Sequence, residues 1–302
     1  MGETYPHTIL EQSILKFSSG ESWFLNSNGV EFTTKRGHYD FGAMFSTKKD
    51  GKSSSFNFSG YTADGLDEPL WQKGTVEELI RQSAEQLDAK PIPEKFVGDI
   101  IVTPDALMSF LGFLTQSVTD FPLITGTSAY KDKLGERVAS EKLTIHAAPL
   151  SDQIVEKYFV TGDGYPTENC AVVENGVLKT FLLSLYGAKK TGGKRAPNSG
   201  GCYIVEPGTK AFDDMVKSVD RGVLVCRFSG GRPGSNGDFS GIAKNSYYID
   251  GGEIAWPLSE TMISANAVAM LENIVEVSSE RVNYGDSVLP WIQFSGITAS
   301  SK

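Results

Sequence analysis

Histidine is scarce in this 302-residue chain. His7, His38 and His146 lie far apart in sequence, so no pair can hold a hydrolytic zinc ion from one helix face while a neighbouring carboxylate serves the bound water. Cysteine is equally sparse: Cys170, Cys202 and Cys226 form no CxxC motif and are too few for a disulfide framework, which fits a cytoplasmic, reducing setting. No apolar run approaches the roughly 18 residues that span a bilayer, and no segment resembles a signal peptide, so neither membrane insertion nor export is expected. Positive charge is also short, with 28 Lys and Arg against 37 Asp and Glu, net -9. Such a field repels a phosphate backbone, which argues against nucleic acid as a partner. The one basic stretch, Lys189, Lys190, Lys194 and Arg195, sits among glycines without aromatics and reads as a solvated loop. The chain has no GxSxG elbow, and Gly234-Ser235-Asn236-Gly237 is out of register for one. Gly187 to Arg195 only approximates a Walker loop, and Gly162-Asp163-Gly164 fails as a dinucleotide fingerprint, so no nucleotide cofactor is expected.

What the chain does have is glycine, 32 residues of it, with hydrophobic and charged fractions of 40% and 22%. This is the composition of a globular protein with many tight turns, and the length favours two units. Pro6 to Phe17 reads as a short helix. From Ser22 to Thr62 apolar and polar residues alternate around Ser27-Asn28-Gly29, a hairpin signal. Thr75 and Glu78 form a capping box for a helix carrying Val76, Leu79, Ile80, Ala84 and Leu87, which ends at Lys90-Pro91. Pro91 and Pro93 then mark a boundary between a smaller central-type α+β region, 1–93, and a β-rich unit, 94–302.

The second unit opens with a strand, Val97 to Val102, followed by Thr103 as cap and Pro104 at the first helical position. Ala106, Leu107, Phe110, Leu111, Leu114 and Val118 form one broad apolar face on that helix, expected to pack against a sheet. Hairpins should turn at Glu174-Asn175-Gly176 and Asp250-Gly251-Gly252. Two capped helices are expected at Thr209 to Asp220 and Asn266 to Val275. The fold class is therefore α+β, a largely antiparallel β C-terminal domain with a few packed helices after a smaller α+β region.

The remaining unusual feature is the glycine-dense stretch Ser229 to Gly241, followed by Ser259-Glu260-Thr261 and Asn266. Glycines allow close approach of a ligand, and exposed amides can bind a peptide or carboxylate; a long turn between strands is the alternative. Gly237, Asp238, Phe239, Ser240, Glu260 and Asn266 are the candidate peptide- or partner-binding residues, and no catalytic residue is assigned.

These residues also carry a resemblance. Leu134 to Ile145 (LGERVASEKLTI), Glu174-Asn175-Gly176, Gly237-Asp238-Phe239-Ser240, Pro257 to Thr261 and Asn273-Ile274-Val275 occur in order. From about Gly126 to Gly296 the chain resembles the C-terminal region of the TldD/PmbA family, whose PmbA branch is also called TldE. The resemblance implies a pair of subunits: a TldD-type one with HExxxH on a helix and a distant cysteine, similar to a zinc metallopeptidase of unfolded or modified peptides, and a TldE-type one without the motif. Laid on that motif without gaps, Leu111 and Gln116 fall at the histidines and Gly112 at the glutamate, while Tyr284, before Gly285-Asp286-Ser287, replaces the late cysteine. The implied role is a non-catalytic TldE-like subunit with no metal or cofactor of its own and zinc only in its catalytic partner. That partner is a TldD-like subunit, or the chain pairs with itself as a homodimer, and a peptide is the substrate. Full-length relatives begin with a further α/β domain for which this chain shows no counterpart, and the family's gyrase-modulator label implies no DNA contact. Two alternatives stay open: an independent hydrolase or peptide-modifying enzyme built from residues such as Asp238, Glu260, Cys202 or His146, and a peptide-binding or assembly module without catalysis.

Overall fold

The structure is a computed structural model and describes residues 3–301. The first part runs β1 (Thr8–Leu25), β2 (Glu31–Lys49), β3 (Lys52–Ser53), β4 (Asn57–Ala63) and α1 (Val76–Glu85). Next come β5 (Phe96–Val102), α2 (Pro104–Ser117), α3 (Asp120–Thr125), β6 (Ile145–Ala147), β7 (Cys170–Glu174), β8 (Val177–Leu178) and α4 (Leu185–Thr191). Then follow β9 (Tyr203–Val205), α5 (Phe212–Lys217), β10 (Arg221–Val225), β11 (Arg227–Ser229) and β12 (Asp238–Lys244). The chain closes with β13 (Tyr247–Asp250), β14 (Glu253–Pro257), β15 (Thr261–Asn266), α6 (Ala267–Glu272), β16 (Ile274–Asn283) and β17 (Val288–Ser301). The fold is α+β, with largely antiparallel sheets and few helices.

The helix expected over Pro6 to Phe17 is a strand. β1 pairs antiparallel with β2 from Thr8 opposite Thr47 to Leu25 opposite Glu31, with a register shift between Leu10 and Gln12. That bulge places an unpaired residue, Glu11, in the strand and breaks the two-residue alternation, so Ile9, Leu10, Ile14 and Leu15 mimic helical spacing. The hairpin turn at Ser27-Asn28-Gly29 forms, with Gly29 at φ +79°. β4 pairs with the other side of β2, giving the order β1-β2-β4 with β3 at one end. Phe41, Ala43 and Phe45 of β2 and Tyr61 and Ala63 of β4 are buried against Val76, Leu79 and Ile80 of α1. Thr75 precedes α1 but makes no side-chain cap bond. Its hydroxyl donates instead to Asp105 Oδ1 at 2.6 Å, and Glu78 is taken up by Arg81.

The second, 13-stranded sheet has β14-β13-β10-β5-β17-β9-β6-β7-β8 as its main path, with β16, β15, β12 and β11 joined to it through β17. Both hairpins foreseen from Asn-Gly and Gly-Gly turns are present, with Asn175, Gly176, Gly251 and Gly252 all at positive φ. Two pairings are parallel, β5 with β10 and β17 with β9. β5 is buried on both faces: Ile100 and Val102 join the core beneath α2, while Ile101 packs with Met215, Val216 and Val219 around α5 on the opposite face. α4 was not foreseen, and it places Lys189 and Lys190 in a last helical turn, where cations complement the helix dipole.

α2 lies against the sheet with Leu107, Leu111, Leu114 and Val118 fully buried. Leu114→Ala is expected to cost about 2–5 kcal/mol, the usual range for truncating a buried leucine, measured as a shift in the urea unfolding curve.

Candidate functional site

Because one side of α2 is spent on the core, the opposite stripe is available to a cleft. Asp105, Met108, Gly112 and Gln116 follow one another at helical spacing, and each lines one of two adjoining cavities that share Met108. From Pro104 to Gln116 this stripe runs about 18 Å at 1.5 Å per residue, room for about five residues of extended chain. The facing wall is β11 and the loop after it, with Arg227 and Phe228 leading into Gly230 to Ser235.

The cavity at the Gln116 end holds about 450 Å³ and lies between α2 and the glycine-rich loop. At Gly231, with φ +58°, a Cβ would run into the Ser240 carbonyl, so the close loop-to-strand approach requires glycine there. The root of the loop is held by the predicted residues. Gly237 accepts from the Ala267 amide at 2.7 Å through its carbonyl. Asp238 accepts from Asn236 (2.7 Å) and Asn266 (2.9 Å). Asn266 also donates to the Asn236 carbonyl (2.9 Å) and caps α6 by accepting from the Val268 and Ala269 amides. Phe239 packs edge-on to Phe110 and Phe228, and the Ser264 hydroxyl donates to Ser240 at 2.9 Å. Five of the six candidates thus meet, with their polar groups directed mainly at one another, and they shape the loop. Glu260 does not join them. It precedes β15, whereas Asn266 ends it, and six residues of strand separate the two by about 20 Å. His146 is paired with Glu206 at 2.8 Å and the Cys202 thiol faces the Glu156 carbonyl at 3.5 Å, so neither joins Asp238 in a common cluster.

The other cavity, about 390 Å³, lies in the seam between the two sheets and brings Tyr284, which stands at the family's late-cysteine position, together with residues that sequence spacing did not single out. All of Asn57 to Thr62 line it, because β4 pairs only with β2 and turns its free edge inward. The Thr62 amide on that edge donates to the Tyr284 carbonyl at 2.8 Å. Strand alternation therefore points the Gly60 and Phe58 main-chain groups into the same space. Asp105 lines the cavity from the first turn of α2, with part of its surface exposed and its carboxyl crowded by the surrounding protein. Lost solvation pushes its carboxyl up to about 6, against hydrogen bonds that pull the other way. The buried Tyr284 hydroxyl has no hydrogen-bond partner of normal geometry among the described residues. Its acidity is suppressed first by burial and then by the neighbouring Asp105. A third cavity, about 770 Å³ beside α1, is a weaker candidate because its charged groups pair among themselves: Arg81 bridges Glu78 and Glu85, and Tyr247 donates to Glu85 at 2.6 Å.

A family model described as the PmbA/TldA metallopeptidase C-terminal domain matches residues 96–301. The chain belongs to the PmbA/TldD family. A metalloprotease of Methanothermobacter thermautotrophicus is 30% identical over 279 residues, covering 86% of this chain and 60% of that protein. A metalloprotease PmbA homolog of Haemophilus influenzae is 23% identical, covering 90% of this chain and 65% of its own length. The chain therefore spans 60 to 65% of the length of these curated relatives. The crystal structure of TldE from Thermococcus kodakarensis superposes with a TM-score of 0.87 over 99% of this chain and 71% of that one, at 21% identity, which shows the fold.

The residues present do not suit the zinc that the family's metallopeptidase name implies. Leu111 is buried in the core, Gly112 and Gln116 line the 450 Å³ cavity, and the lining of that cavity contains no His, Cys, Asp or Glu. No group of three or more such residues gathers in ligating geometry among the described residues.

Two outcomes test this geometry. Asn266→Ala removes both the α6 cap and the anchor of the loop, and should lower stability by about 1–2 kcal/mol, read by urea unfolding. Asp105 binds a proton in the folded state at pH values where the unfolded carboxylate has already ionised. Its contribution to stability therefore falls as pH rises from about 4 to about 6. Asp105→Asn should gain on the wild type across that window and hold the gain above it, with the effect moderated by cavity water; unfolding curves at pH 4.5 and 7.5 measure the difference.

Proposed function

We propose that this chain is a non-catalytic, TldE-like subunit that pairs with a zinc-bearing, TldD-like metallopeptidase in the cytoplasm and helps to hold the peptide being processed. The observation that carries the reading is the lining of the cleft: a helix stripe of Met108, Gly112 and Gln116 where metal ligands would be needed to activate water. None of these side chains can ligate zinc in the usual N, S or carboxylate manner.

The peptide part of the reading is supported by the free edge of β4. An extended chain laid beside Phe58 and Gly60 satisfies their main-chain groups and its own, and strand addition of this kind depends little on side-chain identity. The same edge left open is a pairing hazard that folded proteins usually cover. The glycine-rich loop, pinned by Asp238 and Asn266, closes the far end of the cleft.

The purified chain should contain zinc far below one equivalent by elemental analysis and should not turn over an unstructured reporter peptide. Turnover should appear when a TldD-like subunit is added and should exceed that of the added subunit alone. Turnover by the isolated chain after exhaustive chelation would sink the reading in favour of an independent enzyme.

A further inference from the structure

Among the described residues the seam cavity is lined by one cation, and no carboxylate answers its charge. Arg227, half-buried at the start of β11, donates through Nη1 to the Phe56 carbonyl and to Asn57 Oδ1. Its guanidinium carbon lies 5.1 Å from the centre of the Phe58 ring and 5.9 Å from that of Phe56. Among the described residues no carboxylate forms an ion pair with it, and burial alone acts on its basicity, downward. A guanidinium has five N–H donors in a planar fork suited to a carboxylate. Among the described residues only one terminal nitrogen is engaged, and the two aromatic rings stand beside the group.

The position of Arg227 along β4 gives the cavity a direction. Arg227 stands at the Phe56–Asn57 end of the strand, while Asp40, paired in register with Thr62, and Asp286, two residues after Tyr284, line the other end. The edge is free from Asn57 to Tyr61, about 14 Å at 3.4 Å per residue, and ends where the Thr62 amide is taken by the Tyr284 carbonyl. A peptide of four or five residues laid antiparallel to β4 has its amino end at the carboxylates and its carboxyl end at the guanidinium.

We propose that Arg227 is a specificity-determining residue that receives the terminal carboxylate of a short peptide lying antiparallel along the free edge of β4. This rests on the cleft being a peptide site, as argued above, and narrows its occupant to short peptides with a free carboxyl end. An internal segment of a long chain brings no carboxylate to Arg227 unless an acidic side chain falls there.

The test uses the full chain and titration calorimetry at pH 7.5 with tetra-alanine, its C-terminal amide and its backbone N-methylated form. Tetra-alanine should bind about tenfold or more tighter than the amide, the scale of a charge-assisted pair. Arg227→Gln should reduce that preference to within about twofold, and Arg227→Lys should retain part of it, since a point charge replaces the fork. Equal binding of free and amidated peptide to the wild type, with N-methylation still abolishing it, overturns the role of Arg227 and leaves the β4 edge intact. Full discrimination by Arg227→Gln overturns it too. Binding of none of the three peptides overturns this proposal together with the peptide reading of the cleft. The wild-type comparison needs no variant to fold.

Discussion

Burial of one side of α2 against β5 and β17 sets where the chemistry of this protein can lie. With 3.6 residues per turn, Leu107, Leu111, Leu114 and Val118 cannot reach the sheet unless Asp105, Met108, Gly112 and Gln116 face away from it. The cleft therefore takes its character from a few side chains on one stripe. Leu111 shows how firmly the chain is committed to packing. It is fully buried, and burial of a leucine side chain contributes about 1.5–3 kcal/mol. An imidazole there would exchange that contribution for a polar ring in the core, and the smooth Gly112 surface would still lack the neighbouring carboxylate.

The parts of the fold legible in the sequence are those governed by local backbone chemistry. Thr103-Pro104 starts a helix because proline needs no hydrogen-bond partner for its nitrogen at the first turn, and Asn175-Gly176 and Gly251-Gly252 turn because they tolerate positive φ. Asn266 was readable as a cap for the same reason. What escaped reading depends on partners distant in sequence. The parallel β5–β10 pair shows only as two apolar runs, and the β1 bulge disguised a strand as a helix. The candidate site divides along the same line. Gly237 and Asn266 are visible as the end of a glycine-rich turn and a cap, whereas Asp238 to Ser240, read as part of the same turn, open β12 and pair with β15. Glu260 was grouped with them because it follows the glycine-rich stretch and lies in one of the resembling segments, and the length of β15 carries it away from Asn266. Asp105 and Arg227 have no local signature, and Tyr284 is marked only as the replacement of a late cysteine, since the environment of all three exists only where the two sheets meet.

That meeting place is polar. The residues packed around α1 form a cluster separate from the core under α2, and side chains with few apolar contacts join the two. Asn245, almost fully buried, accepts from Asn57 at 3.3 Å and donates to Gln82 at 2.7 Å. Thr62 donates to Glu156 at 2.6 Å and Thr75 to Asp105 at 2.6 Å. Each such bond contributes a net stabilisation of about 0.5–1.5 kcal/mol, and all of them depend on direction. An apolar seam would close around any gap, because every ångström of approach removes surface from water. A hydrogen-bonded seam has preferred separations fixed by donor and acceptor geometry. The cavity between β4 and α2 is thus held open by the bonds that join the two sheets, and the strand edge and Arg227 keep main-chain and charged groups ready for a polar occupant. An extended peptide meets that requirement better than an apolar ligand, which would leave Phe58, Gly60 and the guanidinium without the partners they would otherwise take from water.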